Sequence, residues 1–373
     1  MKRILFVVHS LNMGGLERMV VELANALDPN GYIPFICCIA TAGALAAEFN
    51  RPENLFVIGN VGRVNVQSCT SVYQLIKRHR IDVVHSHNMA GLLYGFAGAK
   101  LRRIPLVHTN HGFAPPDSDS RTLTLVERWM SARVDRYVCV SETLKRTVTA
   151  RWRPRDDSVT VIYNGVRIPH DPGRPGAPRP GEAIIGSVGR LNSIKNYPLL
   201  LRSFSEIVRT FPLSRLEFIG DGPEYGPLVA LRDKLSLGDK VVFRGSTRNV
   251  RDHLDAIDIF VLPSLSEGLS MSILEALSLR KVCVVSNVGG NTEIIRDGVN
   301  GFLFESNDEQ ALTETLSHVI GKIDTPALDQ VRANALETIR GRFSLDSMVS
   351  AYCTLYDEVA RGRSVSGTRT STD

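Results

Sequence analysis

Two carboxylates stand out in the stretch PSLSEGLSMSILEAL, residues 263–277, where Glu267 and Glu275 are eight positions apart. The apolar run before it, AIDIFVLPS, predicts a buried strand that ends in a loop at Pro263 and Ser264. Glu267 is therefore expected just beyond the carboxyl end of that strand, where the chain turns at a glycine.

A helix is predicted to begin after Ser270, because serine is common at the N-cap position of helices. Glu275 then lies more than one turn inside the helix, so the two carboxylates flank its amino terminus. The first N–H groups of a helix have no partner within it, and together with the helix dipole they favour an anion. This arrangement predicts a phosphate ligand, and a diphosphate that carries sugars on both sides would fit it.

Cations are expected close to other predicted strand ends. Arg190 and Lys195, in VGRLNSIKN, lie five positions apart, and a guanidinium and an ammonium at that spacing could share a diphosphate. The alternative is that both are ordinary surface cations. Ligands of open α/β sheets bind at the carboxyl ends of strands. Other polar residues and glycines at predicted strand ends are His9, Gly14, Gly15, His85, His87, Asn110, His111, Asn164 and Asp221.

The histidines among these residues have two interpretations. His85 and His87 share one face of a predicted strand, and one interpretation is that the two bind a metal ion together. No Asp, Glu or Cys with metal-ligand spacing accompanies the two, so hydrogen-bonding side chains that line a cleft are favoured and no metal is predicted. His111, in VHTNHGF, closes a strand just before Gly112 and is a candidate cleft residue.

Short apolar runs alternate with amphipathic helical stretches along most of the chain, which predicts parallel strands with crossover helices on both faces of a sheet. The proline-rich segment PHDPGRPGAPRPG interrupts the pattern and is typical of a linker. The predicted fold class is α/β, with two Rossmann-like, doubly wound domains that face a central cleft. The predicted divisions are a first domain over 1–168, a linker over 169–182, a second domain over 183–345, a helix over 346–362 that could cross the domain junction, and a disordered tail over 363–373.

Size and composition agree with two domains, since 373 residues with 43% hydrophobic content can fill two cores. The six cysteines have no CxxC spacing, which favours free thiols in a reducing cytoplasm. The apolar start MKRILFVV breaks at His9 without a small-residue cleavage site, so it predicts a strand rather than a signal peptide, and no stretch is long enough to cross a bilayer. The predicted location is the cytoplasm, with a peripheral position at the inner face of the membrane as an option.

Positive charge is concentrated in the first half. Residues 1–182 carry 23 Lys and Arg against 15 Asp and Glu, or +8, and the remainder carries 21 against 24, or −3. Clusters such as IKRHR (76–80) and KLRR (100–103) could bind an anionic membrane or a phosphorylated acceptor. The alternative is a solvated basic surface. Nucleic acid is not predicted as a partner.

The first predicted strand is not followed by GxGxxG, and the nearest glycine pair is that of Gly14 and Gly15. This absence argues against a nicotinamide-dependent dehydrogenase, whose dinucleotide fingerprint needs three glycines. Two glycines before a helix either make a tight turn or let a ligand phosphate approach the backbone.

Several motifs together resemble the retaining glycosyltransferases of family 4, which have the GT-B fold. They are the E-x7-E of Glu267 and Glu275, VGRL with its following lysine, GDGP, VGGNTEII followed by DGVNGFLF, and the opening MGGLER. The resemblance covers nearly the whole chain. It implies sugar transfer from a nucleotide-diphosphate donor, with UDP-sugars preferred, without a metal or other cofactor and with retained anomeric configuration.

The resemblance also implies roles for individual residues. Arg190 and Lys195 would neutralise the departing diphosphate, Glu267 would contact the donor sugar, and Glu275 would hold the ribose hydroxyls. His111 would reach the sugar from the first domain, where the acceptor would bind.

Donor binding would involve backbone groups as well, at Gly14 and Gly15 and at Gly268, Leu269 and Ser270. The chain departs from the commoner family pattern at Leu269 and Ser270, where an aromatic residue or glycine often stands, and at Thr292, often proline. The resemblance implies that these loops would touch the sugar and the acceptor, so the identity of the donor sugar is left open.

A glycan or lipid-linked acceptor in exopolysaccharide, lipopolysaccharide or related cell-surface glycan synthesis is the setting that the resemblance implies. Two other functions are compatible with the same architecture. A sugar-nucleotide epimerase would bind the same donor but needs acid and base groups on the sugar itself. A non-catalytic sugar-nucleotide-binding protein would keep the fold without the reaction.

Overall fold

The computed structural model describes residues 1–62, 64–112, 121–171 and 182–364, which form two compact units. Unit 1 consists of Met1–Asn164 and the C-terminal segment from Leu345, and unit 2 consists of Gly165–Ser344. The first unit thus ends four residues before the predicted boundary at 168. The reason is that Val166 pairs with Ser344, and its amide donates to the Phe343 carbonyl oxygen at 2.9 Å, which joins the start and the end of unit 2.

Unit 1 contains a seven-stranded parallel sheet in the order β3-β2-β1-β4-β5-β6-β7. Its strands are β1 Lys2–Ser10, β2 Tyr32–Thr41, β3 Leu55–Val57, β4 Val83–His87, β5 Leu106–Asn110, β6 Arg136–Cys139 and β7 Val159–Val161. The helices within the first 164 residues are α1 Gly15–Leu27, α2 Val66–Arg78, α3 Asn88–Arg102, α4 Arg121–Ser131 and α5 Glu142–Trp152.

Unit 2 repeats the design with a six-stranded parallel sheet in the order β10-β9-β8-β11-β12-β13. Its strands are β8 Ile184–Val188, β9 Arg215–Ile219, β10 Val241–Gly245, β11 Ile259–Leu262, β12 Val282–Ser286 and β13 Phe302–Phe304. Its helices are α6 Tyr197–Thr210, α7 Tyr225–Lys234, α8 Val250–Ala256, α9 Met271–Ser278, α10 Asn291–Ile294, α11 Glu309–Gly321 and α12 Pro326–Arg342.

Central strands of both sheets are apolar and buried along their length, as in IFVL of β11 and VCVVS of β12. Strands covered by helices on both faces have this composition, because neither face meets water. The α/β, doubly wound fold predicted from the sequence is confirmed. In each unit the strand order reverses next to the first strand of that unit. The reversal lies between β1 and β4 in unit 1 and between β8 and β11 in unit 2.

The last helix, α13 Leu345–Ser364, is part of unit 1. Its residues Tyr352 and Tyr356 are buried, and their hydroxyls lie 3.1 Å from Thr109 Oγ1 and 2.7 Å from His85 Nδ1. The helix includes residues 363 and 364, so the prediction of a disordered tail from 363 was wrong at its start. Residues 365–373 of that tail and 172–181 of the predicted linker lie outside the described residues.

The six cysteines are free thiols, four of them buried. Within the described ranges, no helix combines the length and the apolar content needed to cross a membrane.

Candidate active site

The predicted site residues of unit 2 lie near the point where the order of strands in its sheet reverses, between β8 and β11. Crevices at the carboxyl ends of strands at such a point are where open α/β sheets bind ligands. Four loops follow the strands there: 189–196 after β8, 220–224 after β9, 263–270 after β11 and 287–290 after β12. We call them the switch-point loops. The Leu265 amide donates to the Ile194 carbonyl oxygen at 2.8 Å, which ties the first loop to the third.

Two glycines let the loops after β11 and β12 touch. A Cβ atom on Gly289 would lie 2.1 Å from the Glu267 carbonyl oxygen, and one on Gly290 would lie 2.0 Å from that of Gly268. Gly289 also has φ +49°, a conformation that favours glycine. The Gly290 amide donates to the Glu267 carbonyl oxygen at 3.1 Å. The backbone of Glu267 is therefore fixed by close contact with the neighbouring loop.

A second glycine pair joins the loops after β8 and β9. A Cβ atom on Gly220 would lie 2.0 Å from the Gly189 carbonyl oxygen, and one on Gly222 would lie 2.3 Å from that of Leu191. The Leu191 amide also donates to the Asp221 carbonyl oxygen at 3.0 Å. The GDGP motif thus supports the loop that carries Arg190 and Lys195.

Lys195 and Glu267 form an ion pair across the switch point. Lys195 Nζ lies 2.6 Å from Glu267 Oε1, and the two side chains are 18% and 12% exposed. Ser264 Oγ donates to the same carboxylate oxygen at 2.6 Å. Burial opposes the charged form of Lys195, but Glu267 and Tyr197 outweigh it and raise the pKa of the ammonium above its ordinary value. The site therefore holds a charged, oriented lysine.

Arg190 differs from Lys195 in its surroundings. Its side chain is exposed, and it forms no ion pair with any residue of the described chain. Lys195, by contrast, is held in place by its backbone as well as by its ion pair. It lies in a 3₁₀ turn over Ser193–Lys195, and its amide donates to the Asn192 side chain at 3.3 Å. One cation is thus fixed by the protein and the other is available to a ligand.

The helix α9 begins as predicted, with Ser270 at its N-cap and Met271 as its first residue. The Ser270 side chain does not accept a hydrogen bond from the helix amides, and its Oγ lies 3.0 Å from Ser272 Oγ instead. Because this serine side chain does not occupy the helix amides, they keep their capacity to bind an anion. Glu275 lies in the second turn and is half-buried.

The predicted histidines of unit 1 lie together at the ends of β4 and β5, where His85 and His87 are buried and His111 is partly buried. His87 Nδ1 lies 3.0 Å from His111 Nε2. His85 is fully buried between Tyr356 and Thr109, with its ring nitrogens 2.7 Å from each hydroxyl oxygen. The expectation that His85 lines an open cleft was therefore wrong, because α13 covers it.

Burial lowers the pKa of the His111 imidazole to about 3, with a further contribution from His108. The pKa of His87 is lowered well below its ordinary value by burial and by the neighbouring histidines. Both rings are thus neutral at pH 7. Within the described part of the chain, His87 Nε2 and His111 Nδ1 have no hydrogen-bond partner. A neutral ring of this kind can donate to or accept from a ligand hydroxyl.

The glycine pair of unit 1 lies at the start of α1, with Gly14 at the N-cap and Gly15 as the first helical residue. The space above Gly14 is filled by the Glu17 side chain, whose Oε2 would lie 2.2 Å from an added Cβ. A carboxylate thus already lies at this helix terminus, and an incoming phosphate requires it to move. The role of the two glycines stays a prediction.

No group of three or more His, Cys, Asp or Glu side chains with metal-binding geometry occurs among the described residues.

Sequence reasoning missed two contacts of the site. The sequence marks Ser264 only as the end of a strand, although it stands three positions before Glu267 and donates to its carboxylate. The pairing of His87 with His111 was also missed, although both lie at the ends of strands predicted to be parallel. Neighbouring parallel strands bring their carboxyl ends together, so the signal was present.

Comparison with solved structures identifies the class of fold. The chain is similar to Anabaena HepE in complex with UDP and glucose, with a TM-score of 0.82 at 21% sequence identity over 96% of this chain and 100% of that one. This likeness confirms the GT-B architecture predicted from the sequence motifs.

Comparison with known sequences identifies the family. The model described as Glycosyltransferase Family 4 matches residues 13–168, and that described as Glycosyl transferases group 1 matches residues 174–335. One component of the phosphatidylinositol N-acetylglucosaminyltransferase of Arabidopsis thaliana is 33% identical over 77% of this chain and 67% of that protein. The UDP-Gal:alpha-D-GlcNAc-diphosphoundecaprenol alpha-1,3-galactosyltransferase of Escherichia coli is 28% identical over 92% of this chain and 94% of that protein. The chain belongs to glycosyltransferase family 4, and it is a glycosyltransferase.

Proposed function

We propose that the chain transfers a sugar from a nucleotide-diphosphate donor, with a UDP-sugar as the first candidate, to a lipid-linked or glycan acceptor in cell-surface glycan synthesis. The Lys195–Glu267 ion pair, held at the switch point of unit 2, is the observation that carries this proposal. The names of two relatives support the donor and acceptor classes, since the E. coli protein uses UDP-Gal and a diphosphoundecaprenol-linked sugar. HepE was solved with UDP and glucose.

The donor diphosphate is proposed to bind to unit 2. Lys195 donates to Glu267 alone among the described residues, and an ammonium has three donors. It can therefore donate to a phosphate oxygen without leaving the carboxylate. Arg190 supplies an exposed guanidinium, and the amides at the start of α9 supply neutral donors for the same group. Glu275 is proposed to accept hydrogen bonds from the ribose hydroxyls.

The reaction breaks the bond between the anomeric carbon and the diphosphate oxygen, and negative charge develops on that oxygen. Lys195 and Arg190 stabilise this charge more strongly as it grows, which lowers the barrier. The acceptor hydroxyl oxygen forms the new bond to the anomeric carbon, and its proton passes to the departing diphosphate. Because two cations serve the leaving group, we propose that no divalent metal is required.

Retention of configuration is proposed to follow from attack on the face that the diphosphate leaves. Glu267 as a covalent nucleophile would also give retention. Its Oε1 already accepts from Lys195 and Ser264, each at 2.6 Å, and these bonds lower the nucleophilicity of the carboxylate. The contacts therefore favour a role for Glu267 in holding the lysine and the sugar.

We propose that the acceptor binds to unit 1 and that His111 contacts it as a neutral hydrogen-bonding group. The buried Nδ1 of this ring has no partner within the described chain, so a hydroxyl can bind there. His87 fixes the ring through its contact at 3.0 Å.

The test is incubation of the purified protein with a set of UDP-sugars and a diphosphate-linked sugar on a short lipid chain. We expect free UDP together with a product whose new linkage keeps the donor's anomeric configuration, as read by proton NMR early in the reaction. A changed sugar nucleotide without free UDP would identify an epimerase, and binding without turnover a non-catalytic protein. Lys195→Ala should slow transfer by about 10²–10³-fold, whereas Lys234→Ala, a change at an exposed lysine of α7, should leave the rate unchanged.

A further inference from the structure

One face of unit 1 exposes large apolar side chains among cations. Leu125 and Trp129 are four positions apart on α4, hence on one side of the helix, and they are 65% and 52% exposed. Leu101, at the end of α3, is 73% exposed. Single exposed apolar residues are normal on soluble proteins, but neighbouring ones mark interaction surfaces.

The ends of α3 and α4 are joined by direct contacts. The rings of Phe96 and Trp129 have centroids 5.3 Å apart, and the Arg133 guanidinium lies 4.4 Å from the Trp129 ring centre. A cavity of about 460 Å³ opens between the helices, and its lining includes Phe96, Lys100, Trp129, Arg133, Asp135 and Arg155. We call these residues, together with Leu101, Arg102, Arg103, Leu125 and Arg128, the α3–α4 face.

The charge of the α3–α4 face is strongly positive. Asp135 is the only acid among the residues named, and it is paired with Lys100 at 3.1 Å, while Arg155 lies 3.7 Å from the exposed Asp157 next to the face. The remaining cations are Arg102, Arg103, Arg128, Arg133 and Arg155. An aromatic ring beside a guanidinium, next to exposed leucines, is the composition of surfaces that lie in the headgroup region of a bilayer.

The other basic cluster of unit 1 lacks this composition. Lys77 and Arg78 are exposed at the end of α2, but the apolar residues beside them, Leu75 and Ile76, are buried. That cluster can attract anions only by charge. The α2 cluster is thus a solvated basic surface, whereas the α3–α4 face also offers apolar groups that can insert into a membrane.

We propose that the α3–α4 face docks on an anionic phospholipid membrane. The arginines contact lipid phosphates, the cavity holds one headgroup between Lys100 and Arg133, and Leu125 and Trp129 enter the boundary between headgroups and acyl chains. This docking is independent of sugar transfer, because no residue of the proposed donor site takes part in it. For a lipid-linked acceptor, it would bring the acceptor and the enzyme onto one surface.

Tryptophan emission gives a direct test, since the chain has two tryptophans and the second, Trp152, is buried. Vesicles of phosphatidylglycerol mixed with phosphatidylcholine should shift the emission of the intact protein to shorter wavelength, and lipids brominated along the acyl chain should quench it. Pure phosphatidylcholine vesicles should do neither. If anionic vesicles sediment with the protein without changing its emission, insertion of Trp129 is wrong and the proposal falls.

Matched variants test the position of the face. Arg102→Gln with Arg103→Gln should lower the vesicle partition coefficient at least tenfold, because each basic residue near an anionic surface adds several-fold to binding. Lys77→Gln with Arg78→Gln removes the same charge from α2 and should change it less than twofold. Equal losses from the two pairs would overturn the proposal in favour of binding by net charge alone.

The apolar contribution is tested by Leu125→Ser, a change at an exposed position, with Leu213→Ser of unit 2 as control. We expect binding that persists at low salt, with a smaller emission shift and less quenching by brominated lipid. Thermal melting verifies that both variants are folded. An emission shift equal to that of the unchanged protein contradicts the proposed insertion, and no vesicle binding at all by the unchanged protein would point to a protein partner instead. Since no donor is present, failure here leaves the proposed transfer reaction untouched.

Discussion

Lys195 Nζ lies 2.6 Å from Glu267 Oε1, although 72 positions separate the two residues in the chain. The pair joins the loop after β8 to the loop after β11, and both side chains are largely shielded from water. A shielded ion pair requires each partner, because removing one leaves an uncompensated charge. The pair therefore links the stability of the switch-point loops to the chemistry proposed for them.

Replacing Lys195 or Arg190 by alanine should lower kcat more than it raises KM. Each cation is proposed to act on charge that develops as the diphosphate departs, and removing one such donor costs on the order of 10²–10³ in kcat. Steady-state kinetics with varied donor concentration provides the measurement, and Lys234→Ala is the control. A rise in KM at unchanged kcat would mean that the cations bind the donor without stabilising the transition state.

Glu275→Gln should weaken binding of the nucleoside diphosphate by about 1–3 kcal/mol, the scale for losing hydrogen bonds to a charged group. Calorimetric titration with UDP measures the change. The control is Glu314→Gln on α11, an exposed position outside the site. Unchanged UDP affinity in the Glu275 variant would remove the assignment of this carboxylate to the ribose.

Gly290→Ala should destabilise unit 2 by about 1–3 kcal/mol, because the added Cβ would lie 2.0 Å from the Gly268 carbonyl oxygen, and neither backbone can yield easily. UDP affinity should fall with it, since Gly268 precedes the start of α9. Gly226→Ala is the matched control: no atom lies within 4 Å of its added Cβ, and alanine is the better helix former. Calorimetric unfolding of both variants measures the change in the free energy of unfolding. Equal stability would show that the loops after β11 and β12 adjust freely.

The strands were predictable because their signal is local. A parallel strand buried on both faces is a short continuous apolar run, as in AIDIFVLPS, which ends at Pro263 and Ser264. The start of α9 after Ser270 was also local, since it depends on one capping residue.

Contacts between distant positions were not predictable in the same way. The burial of His85 depends on Tyr356, which is 271 positions away on a helix whose packing partner the amphipathic pattern does not specify. The pairing of Lys195 with Glu267 likewise needs the order of strands in the sheet, which places β8 beside β11. The sequence pattern shows these residues as polar positions at the ends of apolar runs, but it does not show which of them are in contact in the fold.

The buried histidines of unit 1 should make it sensitive to mild acid. Burial lowers the pKa of His108 and of His111 to about 3, against 6.5 for the ordinary side chain. Between these values the unfolded chain takes up protons that the folded unit does not. The stability is thus fully present above pH 6.5 and is lost as the pH falls toward 3, by about 1.4 kcal/mol per pH unit for each such histidine.

Denaturant titration followed by tryptophan emission measures this slope, because Trp129 and Trp152 both belong to unit 1. His108→Gln should lower the stability at pH 7.5 but flatten its decline between pH 6.5 and 5. His318→Gln, an exposed histidine of α11 in unit 2, should leave the decline unchanged. An equally steep decline in the His108 variant would show that this ring takes no part in the acid response.

Transfer should continue in excess chelator. The proposed leaving-group charge is stabilised by Lys195, which is oriented by Glu267, by the exposed guanidinium of Arg190 and by the amides at the start of α9, so we propose that the reaction does not depend on a divalent cation. We expect the rate of UDP release in EDTA to stay within about twofold of the rate in magnesium. A dependence on metal should emerge in the Arg190→Ala, Lys195→Ala double variant, where added magnesium could replace part of the lost charge. If EDTA abolishes transfer by the unchanged protein and magnesium restores it, these residues are not the principal stabilisers of the departing diphosphate.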